Sequence, residues 1–301
     1  MSFGAGLWRL ADPKVSLASF ASLFLGLAVA GARAPLAWGW LALTVAGIFA
    51  VEVAKNASGE VFDFDSGVDQ AVSDEDRSPF SGGKRVLVDA LLTRRQTWGI
   101  ALAGYALASA AGLAICTLRE PRVLLLGLAG MALAFFYHAP PLRLAYRGCG
   151  ELAVGIAYGP LIALGAFLVQ TGATDATLAW LSLALGLLIA AFLLINEFPD
   201  YRADRAGAKR NLVVRLGRGR AARLYLLLAG LAYLVPVWLT ATQAKPWLLG
   251  ALLGLPASCW AGGRLLRESA NTARIVPAQA ATLIAFLLFA LGAGSGSLLG
   301  G

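Results

Sequence analysis

The sequence predicts an all-α polytopic membrane protein: a bundle of about nine transmembrane helices in two pseudo-repeated halves, with a cytoplasmic-side cap. Three observations predict it. The 301 residues are 58% hydrophobic and only 14% charged, against about 25% charged in an ordinary soluble domain. Mean hydropathy is +0.71, which excludes a single water-soluble core. The apolar residues fall in long uncharged stretches rich in Leu, Ala and Gly, without the ~10-residue alternation of a membrane barrel. In lipid every backbone polar group needs an internal partner, so such stretches fold as helices.

In chain order the stretches are 15–32, 36–51, 96–118, 123–137, 152–174, 176–195, 224–244, 246–263 and 275–297. Most reach the ~20 residues that a helix needs to cross the hydrocarbon core. Stretches 36–51 and 123–137 are short, and are expected to tilt, to lie partly at the interface or to extend into their loops. Positive charge precedes 15–32, as in a signal peptide. That run is long and lacks a small-residue cleavage site, so it is expected to be retained as the first helix. One domain covers 1–301.

With nine helices, the N-terminus and every even-numbered connection share one side, and 21 of the 25 basic residues fall there. Arg33, Arg119, Arg122 and Lys245 fall on the other. The positive-inside rule then places the N-terminus and long loops in the cytoplasm, with the protein in the inner (cytoplasmic) membrane. The net charge of +8 is accounted for by those loops against anionic headgroups, so no nucleic-acid partner is needed. Cys116, Cys149 and Cys259 lack metal-ligand or redox spacing. The single His, His138 in "FYHAPPLRL", has no second His or Cys nearby to make a transition-metal site.

Two connections are long, 52–95 and 196–223, after the second and sixth stretches. The first holds "KNASGEVFDFDSGVDQAVSDED" and the second "NEFPDYRADRAGAKRNLVVRLG". "EVFDF" and "EFPDY" repeat one pattern: acid, two residues, Asp, aromatic. Such a repeat suggests two related halves facing one cavity. Asn56, Glu60 and Asp63 stand at i, i+4, i+7, and Glu197, Asp200 and Asp204 at i, i+3, i+7, each one face of a helix. Two facing acidic stripes repel in a low-dielectric cavity unless cations lie between them. Oxygen-only donors select a hard ion such as Mg2+, which binds through a few carboxylates and substrate phosphate oxygens. Arg77, Lys84 and Arg85 follow the first cluster, and Lys209 and Arg210 the second. They are the basic residues placed to clamp phosphate, while Gly82–Gly83 would let backbone amides approach an anion.

Other charges have plainer readings. Glu52 interrupts an apolar stretch, where Lys55 at i+3 is placed to neutralise it, or where it serves acceptor binding or proton handling. Asp65 faces away from the first stripe and is expected in solvent. Asp74, Glu75 and Asp76 read as a loop's polar face, and Glu151 as a carboxylate at the positive end of a helix dipole. Arg218, Arg220 and Arg223 read as membrane-flanking positive charge.

These motifs carry a resemblance. "FDFDSGVD" (62–69), "RSPFSGG" (77–83), "PPLRLAYRGCGELAVGIAYGPLIALGAFLVQTG" (140–172) and "NEFPDYRADRAGAKRNLVVRLG" (196–217) resemble the UbiA superfamily of intramembrane prenyltransferases, and most closely its 1,4-dihydroxy-2-naphthoate prenyltransferase branch. The resemblance implies a polyprenyl diphosphate donor, Mg2+ and an aromatic acceptor bearing hydroxyl and carboxylate groups. Carried over by position, Asp63 and Asp69 match the first motif, and Asp200 and Asp204 the second. They are the expected catalytic and metal-binding residues, with Glu60 as a further metal ligand. The family usually has Asn-Asp where this chain has Gly59-Glu60, and Asn56, one turn earlier, is the available amide.

The chemistry needs cationic groups to stabilise charge growing on a departing diphosphate, and a dry cavity for the allylic cation. Aromatic faces stabilise such a cation. Tyr137, Tyr146 and Tyr158 are candidates for this role, with Asn56 and Asn196 beside the acceptor. A transporter would carry its charges at the bilayer midplane rather than at one face. A non-catalytic scaffold would not need both acidic clusters, and the compact single motif of a CDP-alcohol phosphotransferase is absent. The nearer rivals are other acceptors: 4-hydroxybenzoate, homogentisate, a chlorophyll precursor or a lipid alcohol.

Overall fold

The computed structural model describes residues 3–300. Its helices are α1 (Phe3–Ala11), α2 (Pro13–Gly31), α3 (Trp38–Asp65), α4 (Val68–Ala71), α5 (Arg94–Leu118), α6 (Val123–Phe136), α7 (Gly150–Ile156), α8 (Ile162–Thr171), α9 (Ala176–Ala206), α10 (Leu212–Leu216), α11 (Arg218–Gln243), α12 (Leu255–Glu268) and α13 (Thr272–Leu299). Among the described residues seven spans are long and apolar enough to cross a membrane: α1 with α2, α3, α5, α7 with α8, α9, α11 and α13. The remaining two of the nine expected stretches fall short of that measure. The fourth is the 14-residue α6. The eighth is a nine-residue 3-10 helix, Pro246–Gly254, that runs into α12. Seven spans, not nine, are thus established by length and apolarity.

Helix ends follow local chemistry. Asp175, Asn211 and Asn271 accept backbone N–H groups at the starts of α9, α10 and α13, and Thr93 with Gln96 forms a capping box at α5. Between α7 and α8 a π-helical turn, Ala157–Leu161, contains Pro160, and Ser22 donates to the Tyr158 carbonyl there. Gly67 breaks the chain after α3 with φ of +80°, a region that glycine enters without steric cost.

Helix α9 runs through the centre, with Leu181, Leu185, Leu188 and Ile189 fully enclosed by α2, α7, α11 and α13. Close crossings rest on small residues, as in other membrane bundles. A Cβ at Gly159 would lie 2.6 Å from the Ser182 carbonyl oxygen, and one at Gly250 2.7 Å from that of Gly292. Helices α3 and α5 pack mainly on each other and present Phe49, Leu102, Leu107 and Leu113 outward. Trp38, Trp180 and Trp238 are exposed at one end of the bundle and Trp8 and Trp260 at the other, as aromatic belts are.

The feature that matters for function is overrun. Helices α3 and α9 have 28 and 31 residues, so each continues past its uncharged stretch. Both acidic stripes therefore sit on the last turns of rigid helices at one end of the bundle. Segments 66–93 and 207–217 cover that end.

Candidate active site

A cavity of about 540 Å3 opens at this end. Asn56, Glu60 and Asp63 of α3 and Asp69 of α4 line one wall, while Asn196, Asp200 and Asp204 of α9 line the opposite one. Lys209 joins the walls. Its Nζ lies 3.3 Å from Asp63 Oδ2 and 3.7 Å from Asp204 Oδ1, and its backbone N–H donates to the Asp204 carbonyl. Burial works against the Lys209 charge, but Asp63 and Asp204 outweigh it and hold the ammonium pKa well above the usual value. Asp63 Oδ1 also accepts from the Tyr146 hydroxyl at 2.6 Å, and Asp204 Oδ2 from Asn211 Nδ2 at 2.7 Å.

Unused acceptors point to a missing positive partner. Asn196 Oδ1 and Asp200 Oδ1 are buried without a hydrogen bond, and Asp204 Oδ1 has only the Lys209 ammonium at 3.7 Å, a state that polar atoms avoid unless a ligand supplies the partner. Burial pushes the Asp69 carboxyl up to about 8, and the charges of Asp63 and Glu60 push the same way. Hard, oxygen-only donors of this kind fit Mg2+. Among the described residues no three His, Cys, Asp or Glu side chains converge on one point. An ion here would therefore draw much of its shell from water or phosphate oxygens, as Mg2+ commonly does.

The structure brings Arg77, Lys84, Tyr137 and Tyr158 to the same cavity, and it separates others. Arg85 is turned to Asp89 and the Asp69 carbonyl, Arg210 is exposed, and Tyr146 acts behind Asp63 rather than on the cavity surface. Lys84 is held by Asp12 at 2.9 Å. Asn56 donates to the Leu10 carbonyl, and Glu60 Oε1 accepts the Leu87 N–H. Gly83 is needed for closure, since a Cβ there would lie 2.5 Å from Asp69 Oδ1.

Two readings of single charges change. Asp76 is not part of a solvated loop face: it is 7% exposed and accepts from Thr272 at the start of α13 and from Ser73, while Asp74 does stay in solvent. Glu52 does not pair with Lys55; it accepts from Ser16 and Ser19 of α2. Asp65 lies at the surface, paired with Arg94. Glu151 accepts the Leu212 N–H and so ties α7 to α10.

Gly59 has a local cause. A Cβ at 59 would lie 2.6 Å from the His138 ring, so glycine makes room for an imidazole whose Nε2 is 3.6 Å from Asp63 Oδ2. Burial pushes the His138 pKa down to about 3 against the pull of Asp63, so the ring is neutral at pH 7. In sequence His138 has no second His or Cys to make it a metal ligand and shows no other role. The one signal was the missing side chain at 59, and its partner lies 79 positions away.

A second cavity, of about 200 Å3 and almost wholly apolar, runs between α3, α5, α6 and α8. A charged chamber at a helix-bundle end, joined to an apolar channel inside the bundle, defines a membrane enzyme for a substrate with an anionic head and a greasy tail. The chain belongs to the UbiA prenyltransferase family, whose model matches residues 19–280. It is 30% identical to the 1,4-dihydroxy-2-naphthoate octaprenyltransferase of Bacillus subtilis over 95% of this chain and 92% of that one. It is 31% identical to the Mycobacterium tuberculosis protein of the same name over 73% of each. In fold it is similar to a UbiA homolog from Archaeoglobus fulgidus solved with GPP and Mg2+, with a TM-score of 0.69, 17% identity, and 96% of this chain and 99% of that one covered.

Proposed function

We propose that this prenyltransferase uses Mg2+ to transfer a polyprenyl group from its diphosphate to an aromatic acceptor bearing hydroxyl and carboxylate groups, namely 1,4-dihydroxy-2-naphthoate or a close analogue. The observation that carries the reading is the pair of facing acidic walls, bridged by Lys209 and opening onto an apolar channel. The names of the Bacillus and Mycobacterium relatives support the acceptor, and the GPP and Mg2+ bound to the Archaeoglobus homolog support the donor class and the metal.

Asp63, Asp69, Asp200 and Asp204, with Glu60, would hold Mg2+, which supplies Lewis-acid neutralisation of the diphosphate. Arg77, Lys84 and Lys209 add fixed positive charge where negative charge grows as the allylic C–O bond breaks. The bonding pair leaves with diphosphate, and the prenyl cation remains at the mouth of the apolar cavity, away from water. Tyr137 and Tyr158 line both the chamber and the apolar cavity, so their rings are placed beside the cation as it forms. The acceptor ring forms the new C–C bond and loses a proton or CO2. The basic asymmetry supports the inner membrane with this chamber towards the cytoplasm. The test is purified protein in detergent with Mg2+, geranylgeranyl diphosphate and a panel of aromatic acceptors, read by mass. A prenylated naphthalene product is expected. Transfer only to 4-hydroxybenzoate, or to none of the panel, would overturn the acceptor.

A further inference from the structure

The polar and apolar cavities share four lining residues, Lys55, Tyr137, Val154 and Tyr158, so these form the neck between them. Lys55 Nζ lies 5.5 Å from the Tyr137 ring centroid and 5.9 Å from that of Tyr158. Its neighbouring carboxylates are engaged elsewhere. Glu52 accepts from Ser16 and Ser19, Asp12 is paired with Lys84, and Asp63 with Lys209 and Tyr146. Among the described residues Lys55 has no carboxylate within 4.0 Å, although it is partly buried and lines both cavities. An ammonium held this way is costly unless an anion arrives to pair with it.

The anion is not expected to be the donor's diphosphate. Lys55 precedes Asp63 by eight residues on one helix, which places it about 12 Å deeper in the bundle at 1.5 Å per residue. Arg77, Lys84 and Lys209 already surround the acidic end. We propose that Lys55 is the seat of the acceptor's carboxylate, holding an aromatic acid at the neck with its ring against Tyr137 and Tyr158. This rests on the prenyl-transfer reading and deepens it: Lys55 would set the preference for acidic over neutral aromatic acceptors.

Binding tests this without turnover. Wild-type protein and Lys55→Met are titrated with 1-hydroxy-2-naphthoate and with 1-naphthol, which differ by the carboxylate alone. The preference for the acid should fall about 10- to 100-fold in Lys55→Met, the range of a hydrogen bond to a charged group, and Lys55→Arg should restore part of it. In parallel, geranylgeranyl thiodiphosphate binding with Mg2+ is measured for the same variants. An unchanged acid preference, an equal loss for both probes, or a larger loss for the thiodiphosphate would overturn the assignment. Failure of the wild type to prenylate any aromatic acid overturns the function instead, and the two-probe comparison still reads the seat.

Discussion

Asp63 and Asp200 stand on opposite walls of one chamber, and their removal separates chemistry from folding. Asp63→Ala and Asp200→Ala should each lower Mg2+-dependent prenyl transfer by about 100-fold or more, while both variants still insert and elute as folded protein in detergent. Full activity in both would remove the metal–diphosphate assignment. Asp69 makes a pH prediction with a definite sign. Its carboxyl is pushed from 3.8 up to about 8, so in that window the folded, metal-free chain holds a proton that the unfolded chain lacks. Its contribution to stability therefore falls as pH rises through the window. A cation must displace the same proton, so Mg2+ affinity should climb from pH 6 to 8 and then level off, and Asp69→Asn should flatten the climb. Calorimetric titration across pH checks both. Gly59→Ala forces a methyl group towards the His138 ring and should cost about 1–3 kcal/mol. Adding His138→Ala should recover part of that loss, because the two changes share one contact. Thermal unfolding of the single and double variants measures the coupling.

At the level of elements, α3 and α9 matter because they do not stop where their apolar runs stop. Two rigid helices carry the acidic stripes beyond the greasy core, and segment 66–93 closes over them. Asp76 ties this segment to Thr272 of α13 and approaches Arg202 of α9 at 3.8 Å. Phe80 of the same segment packs edge-on against Phe192. Asp76→Ala should free the segment, seen as faster hydrogen exchange over 72–83 and a raised KM for the diphosphate substrate. Unchanged exchange there would show that the tether is not what holds the segment. The motif spacings made both stripes legible in sequence, since 3.6-residue periodicity depends on neighbours alone. Whether a given basic residue faced the cavity was not legible: Lys209 bridges the walls, while adjacent Arg210 points outward.

For the whole molecule, the bilayer imposes the architecture, and the asymmetry of basic residues supports the proposed orientation. A reporter fused after Gly172 should read as non-cytoplasmic, because that turn lies at the end of the bundle opposite the acidic chamber. A cytoplasmic reading would invert the proposed orientation. The nine expected crossings and the seven that length and apolarity support differ for a physical reason. Hydropathy records that 123–137 and 246–263 are uncharged, but only packing shows that one is a 14-residue helix and the other a 3-10 segment followed by a helix.

The sequence by itself determined the membrane class, the all-helical fold, the two acidic stripes and the family likeness, because composition, periodicity and motif spacing are properties of the chain alone. Only the tertiary structure decided that the stripes face each other across Lys209, that Gly59 exists to admit His138, that Asp76 is a tether, and that Lys55 stands at the neck without a counterion. Each of these joins residues distant in sequence or depends on which neighbours are already engaged, and helix packing alone sets both.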